Sequence, residues 1–183
     1  RGSWAGPVVA GASFIDQNKS FHKELNDSKK LSVKKRLEVL DHMSKISIFS
    51  LGVATNKEID SYGITKATCL AMERAIKNIS KKVSDLTKFI ILIDGTFLPE
   101  FKNLTNSKIV FLKRGDSISP SVASASIYAK NKRDVFMKKL NKVHPYYGWE
   151  KNMGYGTKHH RKMIYKNGLS RFHRMTFNPM KNI

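Results

Sequence analysis

Two aspartates stand where layered α/β proteins tend to place their chemistry. Asp94 directly follows the apolar run Phe89–Ile93, and Asp116 comes shortly after the run Ile109–Leu112. Each run is too short for a helix and rich in β-branched and aromatic residues, so each reads as a buried strand. About a dozen residues separate them, roughly the minimum crossover between neighbouring parallel strands. If the strands are parallel neighbours, both carboxylates emerge at the same end of the sheet, the end where open α/β sheets bind ligands. Two carboxylates converging there suit a hard divalent cation held through oxygen. Each acid also has a plain structural use. Asp94-Gly95 is a common strand-to-turn dipeptide, and Asp116 lies before a helix start, where the helix dipole favours an acid. The two together, in this geometry, point to a site. Arg114-Gly115-Asp116 also matches a cell-adhesion tripeptide, but nothing else in the chain looks secreted.

The rest of the chain supplies the frame. Arg1–Gly6 is a small-residue loop in which Gly2 and Gly6 would let backbone approach a ligand closely, and Pro7–Ile15 reads as a strand. Ser32 can cap a helix running to about residue 46, with Leu37, Leu40 and Met43 at helical spacing. Ile46–Ala54 reads as another strand. A short helical turn at Asn56–Asp60 and Gly63 precede a helix from Ile64 to Ile79, in which Cys69 reads as a core-edge thiol. Ser119-Pro120 looks like the start of a helix that ends before Pro145. Its small residues, Ala123 to Ser126 and Ala129, can pack close to a sheet. Tyr146–Gly156 is a loop rich in glycine and aromatics. Thr157 can cap a last helix that Gly168 stops. His159 and His160 read as polar residues on that helix, and the four histidines 144, 159, 160 and 173 lack the spacing of structural zinc. The order of elements predicts an α/β fold with a mixed central sheet flanked by helices, residues 1–143, followed by a small helical cap, residues 144–183.

Composition narrows the function. Lys and Arg number 34 against 14 Asp and Glu, a net charge of +20. Such an excess, interleaved with structured sequence, favours a polyanion and above all nucleic acid. The single cysteine excludes an intramolecular disulfide framework and fits a reducing, cytoplasmic setting. No apolar run approaches membrane-spanning length, and no signal peptide is expected.

Several blocks, in order and spacing over nearly the whole chain, resemble bacterial ribonuclease HII, the type 2 ribonuclease H. They are Arg1-Gly2 with Ala5–Val9, Asn26–Ser32, Ile93-Asp94-Gly95, Gly115-Asp116-Ser117, Ala125–Lys130, Lys151–Thr157, and His173-Arg174 before Phe177. Thr96, Arg114 and Thr176 depart slightly from the usual residues of that family. The resemblance implies a ribonuclease H-like fold and a monomeric enzyme. It would cut the RNA strand of an RNA/DNA hybrid duplex, or ribonucleotide-containing DNA at a single embedded ribonucleotide, leaving 5′-phosphate ends. It implies four carboxylates holding Mg²⁺ or Mn²⁺, in a chemistry where metals activate water and stabilise the leaving oxygen. Asp94 and Asp116 match two of them. The other two, an Asp-Glu pair on a central strand, are expected a few residues before Arg1 in the intact molecule. Without that strand, unpaired backbone groups in the sheet centre would each cost roughly 1–3 kcal/mol, so a chain lacking it should neither fold normally nor cut. The resemblance further assigns Arg1, Gly2 and Tyr155 to the ribose 2′-hydroxyl, the group that separates RNA from DNA. Lys29 and Lys30 fit phosphate contacts, which position without specifying. A non-catalytic basic relative that binds duplexes is the rival reading, and a ribosome-associated structural protein is a second, resting on charge alone.

Overall fold

The computed structural model describes residues 1–15, 18–22, 25, 31–83, 85–95 and 107–183. Lys29, Lys30 and Thr96 lie outside them. The elements, in order, are β1 (Val8–Ile15), α1 (Val33–Ser44), β2 (Ser47–Ala54), α2 (Asn56–Ser80), β3 (Ile90–Asp94), β4 (Lys108–Leu112), α3 (Pro120–Val143), α4 (Trp149–Asn152) and α5 (Lys158–Asn167). The helix starts follow local chemistry. The Ser32 hydroxyl accepts from Lys35 N–H ahead of α1, the Thr157 hydroxyl accepts from His160 N–H ahead of α5, and Gly168 ends α5. Gly63 interrupts α2 with φ 78° and ψ 158°, a conformation that costs glycine little and breaks the helical path.

The chain forms two compact units. One comprises Val9–Val53 and Cys69–Asn131; the other comprises Arg1–Val8, Ala54–Thr68 and Lys132–Ile183.

In the first unit, Ile15, Leu25, Val39, Met43, Ala123 and Ile127 form the core. Val39 and Met43 mark the buried face of α1, while Leu37, expected to share it, is 51% exposed. Leu37 lies two residues from Val39, about 200° round the helix, so the two cannot face the same way. The small residues of α3 do pack close to a strand. A Cβ on Gly11 of β1 would lie 2.3 Å from Ala125 O, and Ser124 Oγ donates to Ser13 Oγ at 2.8 Å. β2 meets α2 with equal closeness, a Cβ on Gly52 lying 1.9 Å from Ala71 O. Beside that contact, Arg74 Nη1 donates to Val53 O at 2.6 Å, Asn78 Nδ2 to Leu51 O at 2.8 Å and Lys82 Nζ to Phe49 O at 2.8 Å. Four helical residues rise about 6 Å and two strand residues about 6.7 Å, so Arg74 and Asn78 of α2 meet alternate strand carbonyls, and Lys82, just past the end of α2, reaches the next.

Among the described residues the strands pair as β1 with β2 and β3 with β4. The Phe14 and Phe89 rings, 4.8 Å apart and edge to face, join the ends of β1 and β3. β3 and β4 are parallel, in the register Ile90↔Lys108 through Asp94↔Leu112.

In the second unit, Ala5, Met137, Leu140, Tyr147, Trp149, Ile164 and Met180 form a core rich in aromatics. Polar side chains fasten its irregular tail. Asn56 Nδ2 donates to Arg171 O and His173 O, and Asp60 accepts from Met175 N–H, Thr176 N–H and the Thr176 hydroxyl. Among the described residues no helix is long and apolar enough to cross a membrane.

Candidate active site

The parallel pairing of β3 and β4 brings the two aspartates to one strand end. Asp94 is the last residue of β3 and stands in register with Leu112, the last of β4. Gly95 N–H donates to Leu112 O at 2.9 Å, which fixes the exit of β3. Beyond β4 the chain reverses at once. Arg114 takes a left-handed conformation (φ 58°) and Gly115–Ser117 form one tight helical turn. That turn returns to Asp94, whose Oδ1 accepts from Gly115 N–H at 2.8 Å. A Cβ on residue 115 would be tightly placed, 3.1 Å from Leu112 Cβ and 3.4 Å from Asp94 Cα. Asp116 follows with its side chain 2% exposed, while Asp94 is exposed. One carboxylate thus faces solvent beside a turn that buries the other.

The donor set is chemically simple. Two carboxylates supply hard oxygen ligands of the kind that hold Mg²⁺ or Mn²⁺, with water and phosphate oxygens completing the shell. Among the described residues no group of three or more His, Cys, Asp or Glu is placed to hold a metal. Asp94 and Asp116 thus offer oxygen donors of the kind a hard divalent cation takes.

The residues expected to read ribose lie in the other compact unit, and a dense set of hydrogen bonds gathers them. Trp4 N–H and Ala5 N–H both donate to Gly154 O, at 2.7 and 3.3 Å. Two arginines, the buried Arg174 and the half-buried Arg133, tie down the Arg1–Pro7 loop. Arg133 donates to Ser3 Oγ (2.8 Å), Ala5 O (3.2 Å), Pro7 O (3.2 Å) and Met153 O (2.9 Å). Arg174 donates to Arg1 O (2.5 Å), Gly6 O (3.0 Å) and Pro7 O (3.2 Å). Burial lowers the pKa of both; for Arg174, with Arg133 adding to the effect, it falls to about 10, so the guanidinium stays charged at neutral pH. A positive charge ringed by carbonyl dipoles fixes a loop that has no secondary structure of its own. Arg1 and Gly2 themselves stay exposed, and a Cβ on Gly2 would meet nothing within 4 Å.

Tyr155 leaves a turn built by Met153 (φ 50°) and Gly154 (φ 82°). Asn152 closes it, its Oδ1 accepting from Gly154 N–H at 2.8 Å and its backbone carbonyl from Tyr155 N–H at 2.8 Å. The Tyr155 ring is 46% exposed, with the Arg133 guanidinium 5.9 Å from its centroid. It is therefore not a core ring.

The sequence reading overlooked one group beside it. His160 and His173 are each 0% exposed. Their Nε2 atoms lie 3.1 Å apart, and Trp149 Nε1–H donates to His160 Nε2 at 3.1 Å. His160, read as a polar residue on the last helix, is thus fully buried. Its spacing from the buried Ile164, one turn later on the same helix, was the available signal. His173 sits in an irregular segment; the His173-Arg174 block marked it by resemblance, but nothing local tied it to His160.

The fold has counterparts among solved structures. The structure superposes on ribonuclease HII from Archaeoglobus fulgidus, solved in a PCNA complex, with a TM-score of 0.75 and 22% identity over 95% of this chain and 87% of that one. It also superposes on Bst-RNase HIII in complex with Mn²⁺, with a TM-score of 0.78 and 19% identity, over 98% of this chain but 65% of that one. The fold is accordingly the ribonuclease H-like fold. In sequence, the ribonuclease HII family model matches residues 1–180. Ribonuclease HII of Pelagibacter ubique is 43% identical over 183 residues, all of this chain and 94% of the relative. The chain belongs to the ribonuclease HII family, and it is an endoribonuclease of the ribonuclease H type.

Proposed function

We propose that this protein is a metal-dependent endonuclease that cuts the RNA strand of RNA/DNA hybrids and also cuts at single ribonucleotides embedded in duplex DNA. The observation that carries this reading is the β3–β4 register, which sets Asp94 against the Gly115-Asp116 turn at one strand end. Family membership supports hybrid cleavage, and the Mn²⁺ complex of a structural neighbour supports a divalent ion.

Asp94 and Asp116 would hold Mg²⁺ or Mn²⁺. The ion, when bound, supplies a nucleophilic water and charge stabilisation for an in-line displacement at phosphorus. The protein's own contribution is placement. Asp94 presents a carboxylate at the strand end, and Asp116 lies buried in the tight turn whose Gly115 N–H donates to Asp94. Arg1 and Gly2 offer exposed backbone, and Tyr155 an exposed ring, to the sugar carrying the 2′-hydroxyl. Lys29 and Lys30 would add phosphate contacts that hold the duplex in place.

The test is cleavage, by the intact protein, of a duplex carrying one ribonucleotide. The expected result is a single cut on its 5′ side, a 5′-phosphate product, dependence on added Mg²⁺ or Mn²⁺ and abolition by a chelator. Tight duplex binding with no cleavage in either metal would support the non-catalytic reading instead.

A further inference from the structure

We propose that His160 and His173 form a neutral hydrogen-bonded relay that positions Tyr155. This rests on the reading that Tyr155 meets the substrate sugar.

The hydrogen-bond partners fix both tautomers. The Tyr155 carbonyl can only accept, so His160 Nδ1, 2.9 Å away, carries the proton. His160 Nε2 is then a lone pair. That agrees with Trp149 Nε1–H, which can only donate and points at it. Ser170 N–H donates to His173 Nδ1 at 2.9 Å, so His173 carries its proton on Nε2. That proton points at His160 Nε2. The chain therefore runs from the Ser170 amide through His173 and His160 to the Tyr155 carbonyl, with every ring nitrogen in use.

A proton added to His160 Nε2 would meet two converging N–H groups, so the relay is built for neutral rings. Burial lowers the pKa of both, and His160 lowers that of His173 further. With both rings buried and every ring nitrogen engaged, neither has an open position at which to exchange a proton with substrate. Its output is mechanical. Tyr155 stands between Gly154 and Gly156, and a hydrogen bond to its carbonyl restricts the backbone rotation that aims its ring. Gly156 is itself packed against the Trp4 ring, a Cβ there lying 2.2 Å from Trp4 Cε2. Trp4 belongs to the loop that carries Arg1 and Gly2, so the relay holds Tyr155 in a fixed relation to that loop. An aliphatic cluster would fill the same core without setting that direction.

Two near-isosteric variants separate positioning from packing. His160→Asn keeps a donor where Nδ1–H stood; His160→Gln keeps a polar group at the Nε2 end and loses that donor. With both melting at similar temperatures, His160→Gln is expected to lower kcat at a single embedded ribonucleotide by about 10–100-fold with little change in KM, the range for losing an orienting partner. His160→Asn should stay close to the parent. In a Tyr155→Ala background His160→Gln should add no further loss. Equal losses in the two variants that track their melting temperatures, or full additivity with Tyr155→Ala, would overturn the proposal. Nitrogen NMR of the imidazoles at neutral pH is expected to show His160 protonated at Nδ1 and His173 at Nε2; the opposite tautomers would overturn the relay. Normal cleavage by Tyr155→Ala alone, with these tautomers observed, would instead remove the ribose-reading role.

Discussion

Asp94 has two duties that one substitution separates. Its Oδ1 accepts from Gly115 N–H, which holds the turn, and its charge is what a cation would meet. Asparagine keeps the acceptor and removes the charge. Asp94→Asn in the intact protein is expected to retain its melting temperature and hybrid affinity and to lose cleavage by about 100-fold or more. Near-normal cleavage in Mg²⁺ would take Asp94 out of the mechanism. His173 gives an expectation about acid. Burial, and then His160 and His144, hold it at about 4 against an ordinary 6.5. The unfolded chain takes up a proton below about 6.5 that the native protein refuses until about 4, so stability falls as pH drops through that window and returns as pH rises. The effect is at most about 3 kcal/mol. Melting temperatures between pH 7 and 4.5 should decline, and a His173→Asn variant, with nothing there to protonate, should decline less. An equal decline in both would assign it to carboxylates. The aspartates were legible in sequence because a short apolar run followed by an acid is a local pattern. The histidine pair was not, because the contact that defines it joins α5 to a segment without periodicity.

At the scale of elements, what is local was readable. Ser32, Thr157 and Gly168 mark helix ends through bonds to residues within a turn, and Gly63 announced the break in α2. Which face a short helix buries depends on its neighbours, and there Leu37 misled. The close approaches of Gly11 and Gly52 were also invisible, since nothing in either strand names the helix that will cross it. They make a test. In Gly52→Ala the new Cβ would press on Ala71 O and, at 2.4 Å, on Ala75 N, both backbone atoms of a helix that cannot yield separately. Overpacking of this kind costs about 1–3 kcal/mol, which for a chain of this size lowers the melting temperature by about 2–4 °C per kcal/mol. Gly2→Ala meets nothing and should melt like the parent. Similar melting of all three proteins would show that β2 can shift off α2.

For the whole molecule the dominant quantity is the charge of +20. Binding a duplex would release condensed counterions, and affinity for a hybrid is expected to fall by about 100-fold or more between about 50 and 200 mM salt. A flat titration would mean that the lysines are not the binding face. The charge was the plainest signal in the sequence and also the least specific, since it named a polyanion and not a cut; the strand-end aspartates supplied the chemistry. A chain so basic stays dispersed by repulsion only while salt is low or no polyanion is near. Once screened, or gathered along a nucleic acid, copies meet at close range, and a bare strand edge would then be a template for fibrillar assembly. On β2, Arg74, Asn78 and Lys82 already take up part of the backbone hydrogen-bonding capacity such a template needs. They donate to the carbonyls of Val53, Leu51 and Phe49, so those three acceptors are already engaged when another strand approaches.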